Sequence, residues 1–167
     1  METTHTHIHT KQHSFWKLLG ALLLCEGTGI LSGIISGSSM NTWYYSLNKP
    51  SWNPPSEIFG FVWGILYFLM AIALWIVWKK DVVHAEKRKA LFWFFLQLFF
   101  NFCWSFFFFG RQSLVLALSD IFILDILVLI TIVRFDAISR KAAWLMVPYM
   151  LWICFATVLN YTIWSMN

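Results

Sequence analysis

The sequence predicts an all-α integral membrane protein built as a bundle of five transmembrane helices. Hydrophobic residues make up 59% of the 167-residue chain and charged residues only 12%, with a mean hydropathy of +0.66. A soluble domain is far more polar, so most of this apolar surface must face lipid. Five apolar windows reach the roughly 20 residues that a helix needs to cross about 30 Å of hydrocarbon. These windows are residues 15–36, 58–78, 90–110, 113–135 and 142–166.

Helices are the expected spanning elements because each one satisfies its own backbone hydrogen bonds inside the bilayer. Together they form one membrane domain, residues 14–167, preceded by a His/Thr-rich tail, residues 1–13, that we expect to be disordered. Ten of the twelve Lys and Arg residues fall on one side of this topology, in the tail and in the second and fourth connections. By the positive-inside rule we expect a cytoplasmic N-terminus and a first loop, residues 38–57, that faces away from the cytoplasm.

The first helix carries a row of small residues. Gly29, Gly33 and Gly37 recur every four positions, a spacing that lets a second helix approach closely in lipid. The partner is either a helix of the same chain or a second protomer, so a homodimer through the Gly29, Gly33 and Gly37 face is one expectation. Glu26 lies in the same helix, and its carboxyl is costly in hydrocarbon. We therefore expect Glu26 to face the bundle interior or a polar cavity.

Polar, small and aromatic residues form stripes on three other helices. The stripes comprise Gly60, Trp63, Gly64 and Tyr67 on the second helix; Gln97, Asn101, Trp104 and Ser105 on the third; and Tyr149, Trp152, Ala156 and Asn160 on the fifth. Each set recurs at helical spacing and so shares one face. Such residues either form hydrogen bonds between helices or line an internal cavity in which amides orient a ligand. Spacing alone leaves both explanations open.

The first loop is unusually aromatic and rich in proline. Residues 43–55 contain four aromatic residues and three of the four prolines of the chain. Each Pro fixes its own φ and restricts the residue before it, so this segment should be stiff. Trp and Tyr rings suit the membrane–water interface. The loop is therefore either an interfacial anchor or a lid over a cavity.

No sequence motif indicates an enzyme or a metal centre. The chain has no Gly-rich phosphate loop, no metal-ligand helix motif and no nucleophile elbow, so we expect no catalytic residue. The tail contains His5, His7, His9 and His13, but no cysteine and no carboxylate other than Glu2 joins them, and we expect no metal site. The net charge of +4 is spread over short connections beside lipid, a pattern that reports orientation rather than nucleic-acid binding.

Four blocks of sequence resemble one family. The loop WYYSLNKPSWNPP, the second-helix run FGFVWGILYFLMAIALWIVW, the third-helix stretch QLFFNFCWSFFFFG and the final segment AAWLMVPYMLWICFATVLNYTIW are similar to the translocator protein (TspO/MBR) family, also called tryptophan-rich sensory proteins or peripheral benzodiazepine receptors. The resemblance runs from about Ser14 to the C-terminus. It implies a five-helix bundle, often dimeric, in bacterial membranes or the mitochondrial outer membrane.

The resemblance also implies a ligand and a pocket. Members bind porphyrins such as protoporphyrin IX and haem, and benzodiazepine-type or isoquinoline drugs, among the helices beneath the first loop. By motif position, the pocket of this chain would include Tyr44, Pro54, Trp63, Asn101, Trp104, Trp152 and Ala156. The agreement with the stripes favours a cavity over helix–helix hydrogen bonding, and the loop as its lid. Lys49 would then meet a porphyrin propionate at the mouth.

The function expected from the sequence is that of a membrane receptor or transporter for porphyrins and benzodiazepine-type ligands. It needs no cofactor, because porphyrin or haem is the ligand. The alternatives are a photo-oxidative membrane enzyme that degrades porphyrin, and a membrane scaffold without transport. Some family members bind cholesterol, but the sterol pattern needs a basic residue after Tyr161, and residues 162–166 contain none. Its absence argues against cholesterol binding and favours the bacterial cytoplasmic membrane over the mitochondrial outer membrane.

Overall fold

The computed structural model describes the backbone of residues 3–167 and the side chains of residues 14–37, 39–40 and 42–167. This part of the chain contains five long helices and no strand. The helices are α1 (Thr3–Ser39), α2 (Ser56–Lys79), α3 (His84–Ser105), α4 (Leu114–Asp136) and α5 (Arg140–Met166). Each contains a segment long and apolar enough to cross a membrane, which confirms the predicted fold class.

The helices pack in a ring. Passing round the bundle, α1 contacts α2, α2 contacts α5, α5 contacts α4, and α4 contacts α3, which returns to α1. Side chains such as Leu74 and Phe94 are fully buried between the helices, whereas Leu23, Phe61 and Leu151 are exposed on the outer surface. Large apolar side chains on the outer surface are compatible with a lipid environment. Lipid tails are themselves apolar, so no hydrophobic driving force favours burying these side chains inside the protein. Among the five spans, α1 is the least buried.

Two helices begin earlier than predicted. The structure continues α1 back to Thr3 through most of the segment that we expected to be a disordered tail, and residues 1 and 2 lie outside the described residues. Once a helix is nucleated, each further residue adds one hydrogen bond. The helix of an apolar span can therefore continue into the polar residues beside it. Similarly, α3 begins at His84 rather than at residue 90, with Lys89 donating to Glu86 over 3.0 Å. A search for apolar windows cannot detect such polar extensions.

Two π-helical turns connect the first loop to the bundle. Met40–Tyr44 follows α1, and Phe106–Gly110 follows α3 on the same side of the membrane. The hydroxyl of Ser39 donates to the carbonyl of Phe109 over 2.8 Å and so ties the two turns together. A π-turn rotates the following side chains relative to an α-helix, and such turns are frequent at functional sites.

Candidate ligand-binding cavity

A cavity of about 550 Å³ lies among α1, α2, α3 and α5, beneath the Met40–Tyr44 turn. Its volume falls in the range of sites that take small molecules. The lining is mostly apolar and aromatic, with few polar groups. The lining residues include Glu26, Gly29, Ser32, Gly33, Gly37, Tyr44, Phe59, Trp63, Tyr67, Trp104, Phe108, Phe109, Ala156 and Asn160.

The glycine row of α1 forms one wall. A Cβ placed on Gly33 or Gly37 would meet nothing within 4 Å, so these two positions leave open space for a ligand. A Cβ on Gly29, in contrast, would lie 2.6 Å from the ring of Tyr67. The close approach that the sequence predicted therefore occurs at Gly29, where an aromatic ring of α2 lies against the helix backbone. The predicted homodimer through the same row stays a prediction.

The indole of Trp104 forms part of the wall contributed by α3. Its Nε1 donates to Oδ1 of Asn160 on α5 over 3.1 Å, and Nδ2 of Asn160 donates to the carbonyl of Leu114 over 3.3 Å. The ring also stacks on Phe108, with centroids 5.1 Å apart and an interplanar angle of 26°. Because hydrogen bonds and stacking both hold it, the indole presents a pre-oriented aromatic surface.

A hydrogen-bonded chain lies behind the cavity wall formed by Tyr67. The hydroxyl of Tyr67 donates to Oδ1 of Asn101, and Nδ2 of Asn101 donates to the hydroxyl of Tyr149 over 2.9 Å. All three residues are buried. This chain joins α2, α3 and α5 at a depth where unpaired polar groups would be costly. Asn101 thus connects helices directly and supports Tyr67, which faces the cavity.

Tyr44 forms the roof. Its ring is 6% exposed and lies against Phe108 and Phe109, with centroids 6.1 and 5.9 Å away. Its hydroxyl donates to Oδ1 of Asn53 over 2.8 Å, which connects the π-turn to the proline-rich half of the loop. Burial raises the pKa of the Tyr44 phenol above its usual value, so the hydroxyl stays protonated and continues to donate.

Lys49 holds the loop from within. Its Nζ donates to the carbonyls of Tyr44, Leu47 and Tyr45 over 2.7, 2.8 and 3.3 Å, and it lies 4.9 Å from the centroid of the Tyr44 ring. Three carbonyls use the three donors of an ammonium group. The sequence suggested that the Lys49 ammonium group meets a propionate at the mouth of the cavity. In the structure, this group donates to the loop backbone instead.

The predicted site residues divide into two groups. Tyr44, Trp63, Trp104 and Ala156 line the cavity, whereas Pro54, Asn101 and Trp152 do not. Asn101 lies behind Tyr67, whose hydroxyl donates to it. The Trp152 ring packs edge-on against Phe59, which lines the cavity, with centroids 6.0 Å apart. Pro54 lies in the loop, where its carbonyl accepts from Nδ2 of Asn53 over 3.0 Å. Whether any of these residues contacts a ligand stays a prediction.

Several lining residues were absent from the predicted site. Phe108 and Phe109 belong to a run of four phenylalanines, in which nothing in the sequence separates inward from outward rings. The π-turn makes that selection, since both are buried while Phe106 is 43% exposed. Glu26, which was expected to face the interior or a cavity, lines this one. Two other acidic residues within the spans, Asp120 and Asp125, do not line it.

No metal centre is evident in the part of the chain that the structure describes. No group of three or more His, Cys, Asp or Glu side chains lies close enough to hold an ion there. The tail residues His5, His7, His9 and His13 have side chains outside the described residues, so the expectation of no metal site stays a prediction.

The fold and the cavity together define the class. Five membrane-spanning helices surround an aromatic cavity beneath an aromatic loop, which is the arrangement of an integral membrane protein with an internal cavity large enough for a small molecule. Comparison with known proteins gives the family. The model of the TspO/MBR family matches residues 21–165, and this chain belongs to that family. The resemblance inferred from the four sequence blocks is thereby confirmed.

Named relatives cover most of the chain. The tryptophan-rich protein TspO of Archaeoglobus fulgidus is 40% identical over 151 residues, which span 90% of this chain and 97% of the relative. The protein of the same name from Chlorobaculum tepidum is 40% identical over 160 residues, with 90% and 98% covered. The human translocator protein is 35% identical over 142 residues, with 84% and 83% covered.

Proposed function

We propose that this protein is a membrane receptor or transporter that binds flat aromatic ligands, porphyrins and benzodiazepine-type molecules, in the cavity under the first loop. The observation that carries the proposal is the cavity itself, about 550 Å³ in volume, with Trp63, Trp104 and Tyr44 in its walls and roof. Aromatic rings favour offset or edge-on contacts with a flat aromatic ligand. The relatives named translocator protein suggest transport, and apolar walls suit a cargo that travels through lipid.

Trp63 provides one test, because it lines the cavity and can report a bound porphyrin. Protoporphyrin IX titrated into the protein in a non-ionic detergent should quench tryptophan fluorescence saturably. Replacing Trp63→Ala should weaken binding about tenfold, the loss of roughly one aromatic contact surface. The matched control is Trp144→Ala on α5, because Trp144 is 63% exposed on the outer surface. Linear quenching without saturation, or equal affinity in the Trp63→Ala and wild-type proteins, would contradict the proposal.

We also propose that the N-terminus is cytoplasmic and that the loop faces away from the cytoplasm, in a bacterial cytoplasmic membrane. The distribution of basic residues supports this orientation. The start of the first membrane span, Ser14–Gly37, lies beside the end of α2, where Nζ of Lys17 donates to the carbonyl of Trp78 over 3.4 Å. In bacteria, alkaline phosphatase fused after Asn167 should be active and a fluorescent protein fused there should be dark. The reverse result would overturn the orientation.

A further inference from the structure

Glu26 places a carboxyl in the wall of the cavity. It lies about halfway along the membrane span Ser14–Gly37 of α1, one helical turn before Gly29. Among the residues that line the cavity, it is the only one that carries a carboxyl. Its side chain is neither fully buried in the protein nor on the fully exposed surface, as expected for a group that borders an internal space.

The described residues offer this carboxyl no hydrogen-bond or ion-pair partner. The salt bridge found among them joins Glu86 and Lys89 at the start of α3. The nearest basic residue on α1 within the span, Lys17, donates instead to a carbonyl of α2, and Lys49 is used by the loop. An ionisable group in a membrane span normally pairs with another group, since its desolvation is otherwise uncompensated. Because Glu26 lines the cavity, a molecule that occupies the cavity is positioned to supply a partner.

We propose that Glu26 determines specificity by pairing with a basic nitrogen of the ligand, so that the cavity prefers flat aromatic molecules carrying a protonated amine or ring nitrogen. A charge-assisted hydrogen bond in a poorly hydrated cavity is stronger and more directional than one in water. The carboxyl also disfavours any ligand that places an acidic group deep in the cavity. A porphyrin with two carboxylates therefore enters with these groups toward the loop. This inference rests on the proposed function, because it names the ligand class for the same cavity.

A matched pair of probes tests the proposal. Proflavine is a flat cation at pH 8, and acridine has the same ring system without the charge. In a non-ionic detergent, the wild-type protein should bind proflavine about tenfold more tightly than acridine, the worth of one charge-assisted contact. Glu26→Gln, which keeps the shape and removes the charge, should abolish the preference by lowering the affinity for proflavine toward that for acridine. Glu57→Gln is the control, because Glu57 lies exposed in the first turn of α2 and does not line the cavity.

Three results would overturn the inference: equal affinity of the wild-type protein for both probes, a preference that survives in Glu26→Gln, or an equal loss in Glu57→Gln. In each case saturable acridine binding would leave the proposed function standing. If neither probe nor protoporphyrin IX binds saturably, the proposed function falls as well.

A second measurement needs no variant and therefore does not depend on how Glu26→Gln folds. Dicyclohexylcarbodiimide modifies carboxyl groups in apolar surroundings, and mass spectrometry locates the modified residue. Saturating proflavine should slow modification of Glu26 more than acridine does at equal occupancy. Modification at an unchanged rate in the presence of proflavine would contradict the pairing.

Discussion

The side-chain amide of Asn167 pairs with the backbone of Asn48 in both directions. Its Oδ1 accepts from the Asn48 N–H over 2.9 Å, and its Nδ2 donates to the Asn48 carbonyl over 3.0 Å. The side chain of Asn48 donates in turn to the carbonyl of Met166 over 3.3 Å. The residue after α5 thus fastens the first loop across the bundle, and the loop is held where it roofs the cavity.

Removing this fastening should loosen the loop without unfolding the helices. Asn167→Ala deletes the two hydrogen bonds to Asn48 and a third to the carbonyl of Ile163. The two bonds to Asn48 are each worth about 1 kcal/mol, so hydrogen exchange at the Asn48 amide should accelerate roughly 30-fold. The control is Ser165→Ala, because the Ser165 hydroxyl donates only to the carbonyl of Thr162 within α5. Unchanged exchange at Asn48 would show that the amide pairing does not hold the loop.

The variant Lys49→Met tests whether Lys49 holds the first loop together or contacts the ligand. The Lys49 ammonium group donates to three loop carbonyls, and hydrogen bonds to a charged group are each worth about 1.5–3 kcal/mol. Its loss should speed dissociation of protoporphyrin IX and of its dimethyl ester by a similar factor, measured by stopped-flow fluorescence. If only the free acid dissociates faster, Lys49 contacts a propionate, and holding the loop together is not its main role.

Gly29 and Gly33 should respond oppositely to the same substitution. Ala at Gly29 brings a Cβ to 2.6 Å from the Tyr67 ring, so thermal unfolding in detergent should show a loss of about 1–3 kcal/mol from overpacking. Ala at Gly33 meets open space and should stabilise α1 by less than about 1 kcal/mol through helix propensity. Equal effects at the two positions would mean that Tyr67 does not lie against α1.

Asn101→Leu should lower the stability of the helix bundle and not only weaken ligand binding. It leaves the hydroxyls of Tyr67 and Tyr149 without their partner, a cost of about 1–3 kcal/mol for each buried group. Tyr149→Phe removes only one of the two hydrogen bonds and should cost less. The midpoint of thermal unfolding, followed by circular dichroism, measures both variants, and equal midpoints for Asn101→Leu and the wild type would contradict the network.

Periodicity predicted the helices and much of the cavity wall. Apolar length fixed the five spans, and the helical stripes contained Trp63, Trp104 and Ala156, which line the cavity. A helical stripe predicts the direction in which a side chain points. It does not predict whether another side chain lies between that residue and the cavity. For that reason Asn101 and Trp152, on the same stripes, lie behind Tyr67 and Phe59.

Irregular backbone accounts for most of what the sequence could not predict. The π-turn at Phe106–Gly110 decides which of four identical rings face inward, and no residue pattern marks it. The charge of Lys49 suggested an external partner because its backbone acceptors exist only once the loop is folded. The polar starts of α1 and α3 carry no apolar signal, although their backbone is helical.

We expect flat aromatic ligands to occupy the cavity beside the glycine row of α1. Gly33→Leu tests it most directly, because a side chain there extends into open space within the cavity. Gly27→Leu is the control, since its Cβ also meets nothing within 4 Å but Gly27 does not line the cavity. The dissociation constant of protoporphyrin IX, from saturable tryptophan quenching in detergent, should rise about tenfold or more in Gly33→Leu and stay unchanged in Gly27→Leu. Unchanged affinity in folded Gly33→Leu would show that the ligand binds outside this cavity.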